Sequence, residues 1–303
     1  MAKAPAFCLI GLALLATSVA AEDASDGKPD PGEWAVASNL NVTLTQNAYS
    51  GNWAGSELGA ISWALTSNSL AESQLTERIH TRNTLALAFG QTHSQKVDEE
   101  DGERYWERPS KSTDLIDLES VFRFTYGWFA DPYAAGRLRT QFLDQTDGEK
   151  TRSLNPMTVT ESVGLAKVLT KGEKHEWSTR LGAALRQEID RDALNEASGV
   201  RETVTTNDGG IEFVSEFRAT IAEDRITFTS RLQAFEALLS SEEDSRATDD
   251  WRAPDLDWEN SMTAGVTERL MVNLYVELLY DKEIVDEWRF KETLSLGLTF
   301  KLL

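Results

Sequence analysis

From Trp34 to Thr45 the chain alternates. Trp34, Val36, Leu40, Val42 and Leu44 share one parity, while Ala35, Ala37, Asn39, Asn41, Thr43 and Thr45 share the other. Side chains along a strand point in turn to its two faces, so this segment has one oily face and one face of small, mostly polar groups. A helix would scatter both sets around its circumference. The period of two recurs strongly over 76–89, 112–128, 133–143, 177–187, 211–221 and 288–302, and more weakly over 57–67, 157–169, 226–238, 258–270 and 272–280. Together these segments predict twelve strands.

The spacing between them predicts how they connect. A bacterial outer-membrane barrel has an even number of antiparallel strands, short periplasmic turns and longer outer loops. The joints after even strands are short, at 68–74, 130–132, 171–176, 222–224 and 271–272. Those after odd strands are mostly longer, at 48–56, 91–111, 144–156, 191–210, 240–257 and 281–287. The expected fold is all-β: a transmembrane up-and-down antiparallel β-barrel of about twelve strands over 33–303, with both ends in the periplasm. The first strand should pair with the last, because an open edge in lipid leaves backbone groups unpaired. Aromatic residues near strand ends fit interfacial girdles, with Trp34, Trp128, Trp177 and Phe300 at the periplasmic rim and Phe89, Phe142, Trp258 and Trp288 at the outer one.

The N-terminus adds a destination. Lys3 precedes an uncharged apolar run over 7–16, and Val19-Ala20-Ala21 precedes Glu22, as in a cleaved secretory signal peptide over 1–21. The run is shorter than the roughly 20 residues of a spanning helix. An acidic periplasmic segment over 22–32 should follow. The only cysteine, Cys8, lies inside the apolar run, so the exported chain should lack thiol chemistry, disulfides and cysteine metal ligands. The net charge of −20 argues against nucleic acid as a partner. Acidic runs at 98–103 and 242–250 fall in predicted outer loops. The expected location is the outer membrane, and the expected partners are its lipid and small polar solutes.

On the inner parity the candidate lumen-lining residues are Arg78, His80, Arg82, Asp117, Glu119, Arg123, Arg137, Arg139, Arg180, Arg186, Glu212, Glu216, Arg218 and Arg231. Two readings stay open. One is a cross-strand ion-pair network filling a narrow barrel; the other is a pore whose arginines attract an anionic or zwitterionic solute. Arg78, Arg82, Arg123, Arg137 and Arg139 come from the predicted third to fifth strands and should line one wall. Asp117 or Glu119 would have to approach His80 for its protonated form to be favoured there.

Candidate chemistry is sparse. A barrel lipase needs a serine and a histidine together on the lipid-facing wall, whereas His80 is expected in the lumen, His93 in an outer loop and His175 in a periplasmic turn. Three scattered histidines have no metal-ligand spacing, and no cofactor is expected. Glu161, Glu236 and Glu292 fall on the oily parity; for Glu161 this suggests a bulge or a different register in the sixth strand. The rival architecture is a soluble secreted or periplasmic β-barrel that binds a ligand in its polar core. It would bury the Ile, Leu and Phe parity and expose the arginines.

Three short motifs carry a resemblance. Gly51-Asn52-Trp53-Ala54-Gly55, Lys111-Ser112-Thr113-Asp114 and Arg139-Thr140-Gln141-Phe142 resemble an uncharacterised family of outer-membrane β-barrel proteins, a domain of unknown function common in Bacteroidetes and their relatives. The likeness covers roughly residues 33 to 190. This chain has Gly55-Ser56-Glu57 where the family has two or three glycines. The resemblance implies the barrel and its location, and no activity.

Overall fold

The computed structural model describes residues 31–49, 57–99, 101–147, 150–195, 199–241 and 249–302. The expected signal peptide, nearly all of the acidic segment after it, the Gly51–Gly55 motif and most of the 242–250 run lie outside these residues.

Among the described residues twelve antiparallel strands close into a barrel: β1 (Trp34–Asn47), β2 (Ala60–Thr76), β3 (Ile79–Val97), β4 (Ser110–Phe124), β5 (Asp131–Thr140), β6 (Met157–Lys171), β7 (His175–Asn195), β8 (Val200–Ile221), β9 (Ile226–Ser240), β10 (Asp255–Gly265), β11 (Leu270–Asp281) and β12 (Val285–Lys301). Each pairs with its sequence neighbours. β1 pairs with β12, Leu40 opposite Phe300 and Val42 opposite Leu298, so no edge of the barrel wall stays open. The shortest strand, β5, has 10 residues, enough for a tilted crossing of a hydrocarbon layer of about 30 Å. β7 and β8 are 21 and 22 residues long and project well beyond the others.

The strand ends differ from the pattern-based reading wherever polar residues continue a strand. The turn predicted at 68–74 is part of β2, because Ser69 and Ser73 stay in the ladder opposite Ser38 and Trp34. The turn falls instead at Glu77 and Arg78. The long loop predicted at 191–210 is mostly a hairpin of β7 and β8, paired as far as Asn195 and Val200. Met271 and Val272 belong to β11, and the preceding turn is at 266–269. The long–short alternation survives these shifts in part: five short turns gather at one end, while the connections at the other include 98–109, 141–156 and 241–254.

The barrel is inside-out relative to a soluble protein. Leu118, Val163, Leu181, Ile211, Leu294 and Leu296 are exposed, while Glu119, Thr160, Ser162, Arg180 and Glu212 are buried. Leu294 is 68% exposed and Glu212 only 2%. A soluble barrel requires the reverse, so the soluble alternative is set aside. Indole N–H groups on the outer wall are satisfied locally: Trp177 donates to Ser215 at 2.9 Å and Trp258 to Ser230 at 3.0 Å. Glu161 keeps the outward parity, opposite Leu185 and Gly136. The sixth strand does contain a bulge, but it lies near the short-turn end, between Trp177 and Ser178 and opposite 168–170.

Two motifs quoted for the family resemblance meet at the long-loop end. The Asp114 carboxylate accepts the backbone N–H groups of Phe142 at 2.7 Å and Leu143 at 2.9 Å. Lys111 Nζ donates to Gln141 Oε1 and to the Leu143 carbonyl, each at 2.6 Å. The β5–β6 connection is thereby tied down onto β4.

Candidate functional site in the barrel lumen

Inward-facing charges come from every strand between β2 and β12, and most of them are paired. Next-door pairs come first. Arg137 of β5 grips Asp117 of β4 through two N–H groups, at 2.9 and 2.5 Å. Arg231 of β9 donates to Glu216 of β8 at 3.2 Å. His80 Nε2 lies 2.7 Å from Glu72 Oε1, a residue absent from the sequence-based list; Asp117 and Glu119 pair with arginines instead.

Other pairs cross the interior. In a ring of twelve, β5 and β11 stand opposite one another, and β4 and β9 nearly so. Arg139 of β5 donates to Asp257 of β10 at 2.7 Å and to Glu277 of β11 at 3.1 Å. Arg231 reaches Glu119 of β4 at 3.0 Å, and the same carboxylate accepts from Arg180 of β7. Arg137 also donates to Gln233 of β9, whose amide donates to Glu212 at 2.8 Å. Planar guanidinium forks suit this role because one fork can hold two acceptors. The result is an ionic belt across the middle of the lumen.

A second obstruction sits at the long-loop mouth. A 3-10 turn, Asp250–Arg252, places Trp251 against the inward-facing Ala184, Phe235 and Ala237. Arg186 lies over the Phe235 ring at 4.2 Å and pairs with Asp255 at 2.5 Å and Asp208 at 3.6 Å. Lys282 holds Asp250 at 2.7 Å. On the opposite side of the belt, toward the short turns, an open recess remains, lined by Glu72, His80, Arg82, Arg123, Arg180 and Glu216 among others.

The wall beside the recess is shaped by missing side chains. Gly164 and Gly182 face inward as partners, and a Cβ on Gly182 would lie 2.3 Å from the Val163 carbonyl and 2.7 Å from the Tyr133 hydroxyl. Tyr133, opposite Gly164 on β5, fills that space and is buried.

Of the fourteen sequence-based candidates, thirteen face the lumen. Arg78 does not: it lies in the β2–β3 turn, with its guanidinium 5.9 Å from the Tyr126 ring. The expected arginine wall is therefore Arg82, Arg123, Arg137 and Arg139. Sequence reasoning missed Asp208, Gln233, Asp255, Asp257, Glu259 and Glu277. Asp257, Glu259 and Glu277 put carboxylate oxygens within 4.8 Å of one another, and Arg139 approaches them at 2.7, 3.8 and 3.1 Å respectively. Their signal was available in Asp255-Leu256-Asp257-Trp258-Glu259, where acids alternate with outward-facing Leu256 and Trp258.

The histidines are also partly relocated. His93 lies within β3 on the outward parity, opposite Ile61, rather than in a loop. Among the described residues no serine hydroxyl is hydrogen-bonded to it. His175 is the first residue of β7 rather than part of a turn.

No family model matches the chain, and no curated protein does. Among solved structures it is similar to an outer membrane channel from Pseudomonas putida F1, with 17% identity and a TM-score of 0.43 over 94% of this chain and 99% of that one. The beta domain of the Bordetella autotransporter BrkA gives 11% identity and a TM-score of 0.33, covering 88% of this chain and 98% of the other. OprB of Pseudomonas putida gives 8% and 0.25, covering 88% and 92%. These scores are too low to carry topology across, and the fold stands on the strand pairings themselves.

Proposed function

We propose that this chain is an outer-membrane β-barrel that passes small polar solutes, anionic or zwitterionic, through a lumen sealed here by side chains. The exposed Leu, Ile and Phe parity supports the lipid setting, since an outward apolar band is what a membrane barrel presents. The short turns then face the periplasm and the long connections face outward. The observation that carries the passage reading is the composition of the seal. No backbone segment among the described residues crosses the belt; arginine–carboxylate pairs close it. Such pairs can exchange partners with water or a charged solute without unfolding any strand. Buried ion pairs are also weak evidence for stability alone, because desolvation offsets much of their attraction.

The test is conductance in planar bilayers of the refolded protein and of the Arg137→Ala, Arg139→Ala double variant. A gated passage predicts brief openings in the parent, with more conductance and less anion preference in the variant. A bracing network predicts silence in both and a less stable variant, because Asp117 and Asp257 lose their arginine partners and Glu277 keeps only Lys291 among the described residues. That outcome would overturn the passage and leave a structural outer-membrane component.

A further inference from the structure

Most lumen arginines have a carboxylate. Arg137, Arg139, Arg180, Arg186 and Arg231 all do. Three do not. Arg82 and Arg218 make no hydrogen bond or ion pair among the described residues. Arg123 comes no closer than 4.0 Å to Asp131, and its buried Nε has no partner. The acids nearby are committed elsewhere: Glu72 to His80 at 2.7 Å, Glu176 to Lys171 at 2.9 Å and Glu216 to Arg231 at 3.2 Å. These pairings leave the forks of Arg82, Arg123 and Arg218 free, although Glu72 stands opposite Arg82 in the ladder and Asp131 lies 4.0 Å from Arg123.

Two of the three meet by register. On the inner wall His80 stands opposite Arg123 and Arg82 opposite Val121, so Arg82 and Arg123 are diagonal neighbours on β3 and β4. Such neighbours lie about 7–8 Å apart at the backbone, within reach for long side chains to share one ligand. Arg218 rises from β8, which stands almost opposite β3 in the ring of twelve strands. Arg82 and Arg123 both line the recess. Guanidiniums with free forks match the paired oxygens of carboxylate and phosphate, and a low-dielectric wall beside them strengthens their pull.

We infer that the periplasmic recess binds a small carboxylate- or phosphate-bearing anion, bridged by Arg82 and Arg123 and neutralised from the opposite wall by Arg218. The inference deepens the passage reading by giving it a solute class and a resting site on one side of the belt. Binding is measurable without conduction, so the two fail separately: a silent barrel that binds loses only the passage, and a conducting barrel that does not bind loses only the site.

Inorganic phosphate and acetate are titrated calorimetrically into the refolded full chain in detergent at low ionic strength. The expected result is saturable binding of at least one of them, weakened about tenfold or more by Arg82→Gln and by Arg218→Gln. Arg82→Lys keeps the charge but loses the fork, and should bind with intermediate strength. Arg225→Gln, in the β8–β9 turn, should bind like the parent. Saturable phosphate without acetate assigns a phosphate site, and the converse a carboxylate site. Absence of saturation with both anions overturns the inference, as does equal binding by Arg82→Gln and Arg225→Gln. A barrel that fails to fold with either glutamine or lysine at position 82 shows that Arg82 holds structure, and also overturns it.

Discussion

Glu119 and Arg231 meet at 3.0 Å across the inside of the barrel, although 112 residues separate them in the chain. Their strands, β4 and β9, stand almost opposite each other, so the contact spans the interior instead of following the wall. Arg180 closes on the same carboxylate from β7. One buried acid therefore serves two guanidiniums, and Leu118 beside it in sequence points the other way and is exposed.

Replacing Glu119 with Gln should leave Arg180 and Arg231 without their shared counter-charge. Breaking a buried pair from one side costs about 3–5 kcal/mol. Urea unfolding in lipid vesicles, followed by tryptophan fluorescence, should show a loss of that order. Loss below about 1 kcal/mol, the range of an exposed pair, would mean that the belt is solvated and not a seal.

Leu118→Arg and Leu296→Arg should each cost roughly 2–4 kcal/mol if they lie near the membrane midplane. Ser295→Thr, one residue away on the inner parity opposite Asn273, should change stability little. Asp117, the other neighbour of Leu118, is not permissive, because it holds Arg137 at 2.5 Å. Vesicle-based unfolding of the three variants checks the sign and order.

Much of this was legible in the sequence, and the reasons are physical. Strands with bulky apolar residues on alternate positions, such as 112–128 and 288–302, announced both their existence and their outward face. The failures cluster where that contrast is weak. Ser67, Ser69, Ala71 and Ser73 face outward on β2, so small polar residues read as a turn where the ladder in fact continues to Thr76. The same blindness shortened β7 and β8, whose projecting ends no longer need an apolar face. In the lumen, parity put these side chains on the inner face of their strands but said nothing of partners across the ring. Which arginine meets which acid depends on closure and stagger, as with Arg139 reaching Glu277 across 138 residues.

The β5–β6 connection should respond to acid. Asp144 is fully buried, which alone would raise its pKa, but the Thr146 hydroxyl and backbone N–H, the Asn155 amide and Arg152 outweigh that and hold it below the usual carboxylate value. A depressed folded value means that its contribution is complete above about pH 4 and is lost as pH falls through the folded value. Hydrogen exchange at the Thr146 amide, bonded to Asp144 at 3.0 Å, should accelerate below about pH 4 beyond the intrinsic pH effect. Asp144→Asn should lack that extra acid step. An acid step retained in the variant would contradict the assignment.

If one parity faces lipid and the other a charged interior, labels placed along β12 must report that alternation. The only cysteine of the chain is Cys8, within the expected signal peptide, so Thr293→Cys, Leu294→Cys, Ser295→Cys and Leu296→Cys each introduce a unique label site in the barrel. Each is labelled with an environment-sensitive fluorophore, refolded into vesicles and exposed to brominated lipid. Strong quenching is expected at 294 and 296 and little at 293 and 295. Equal quenching at all four positions, or the opposite alternation, would contradict it.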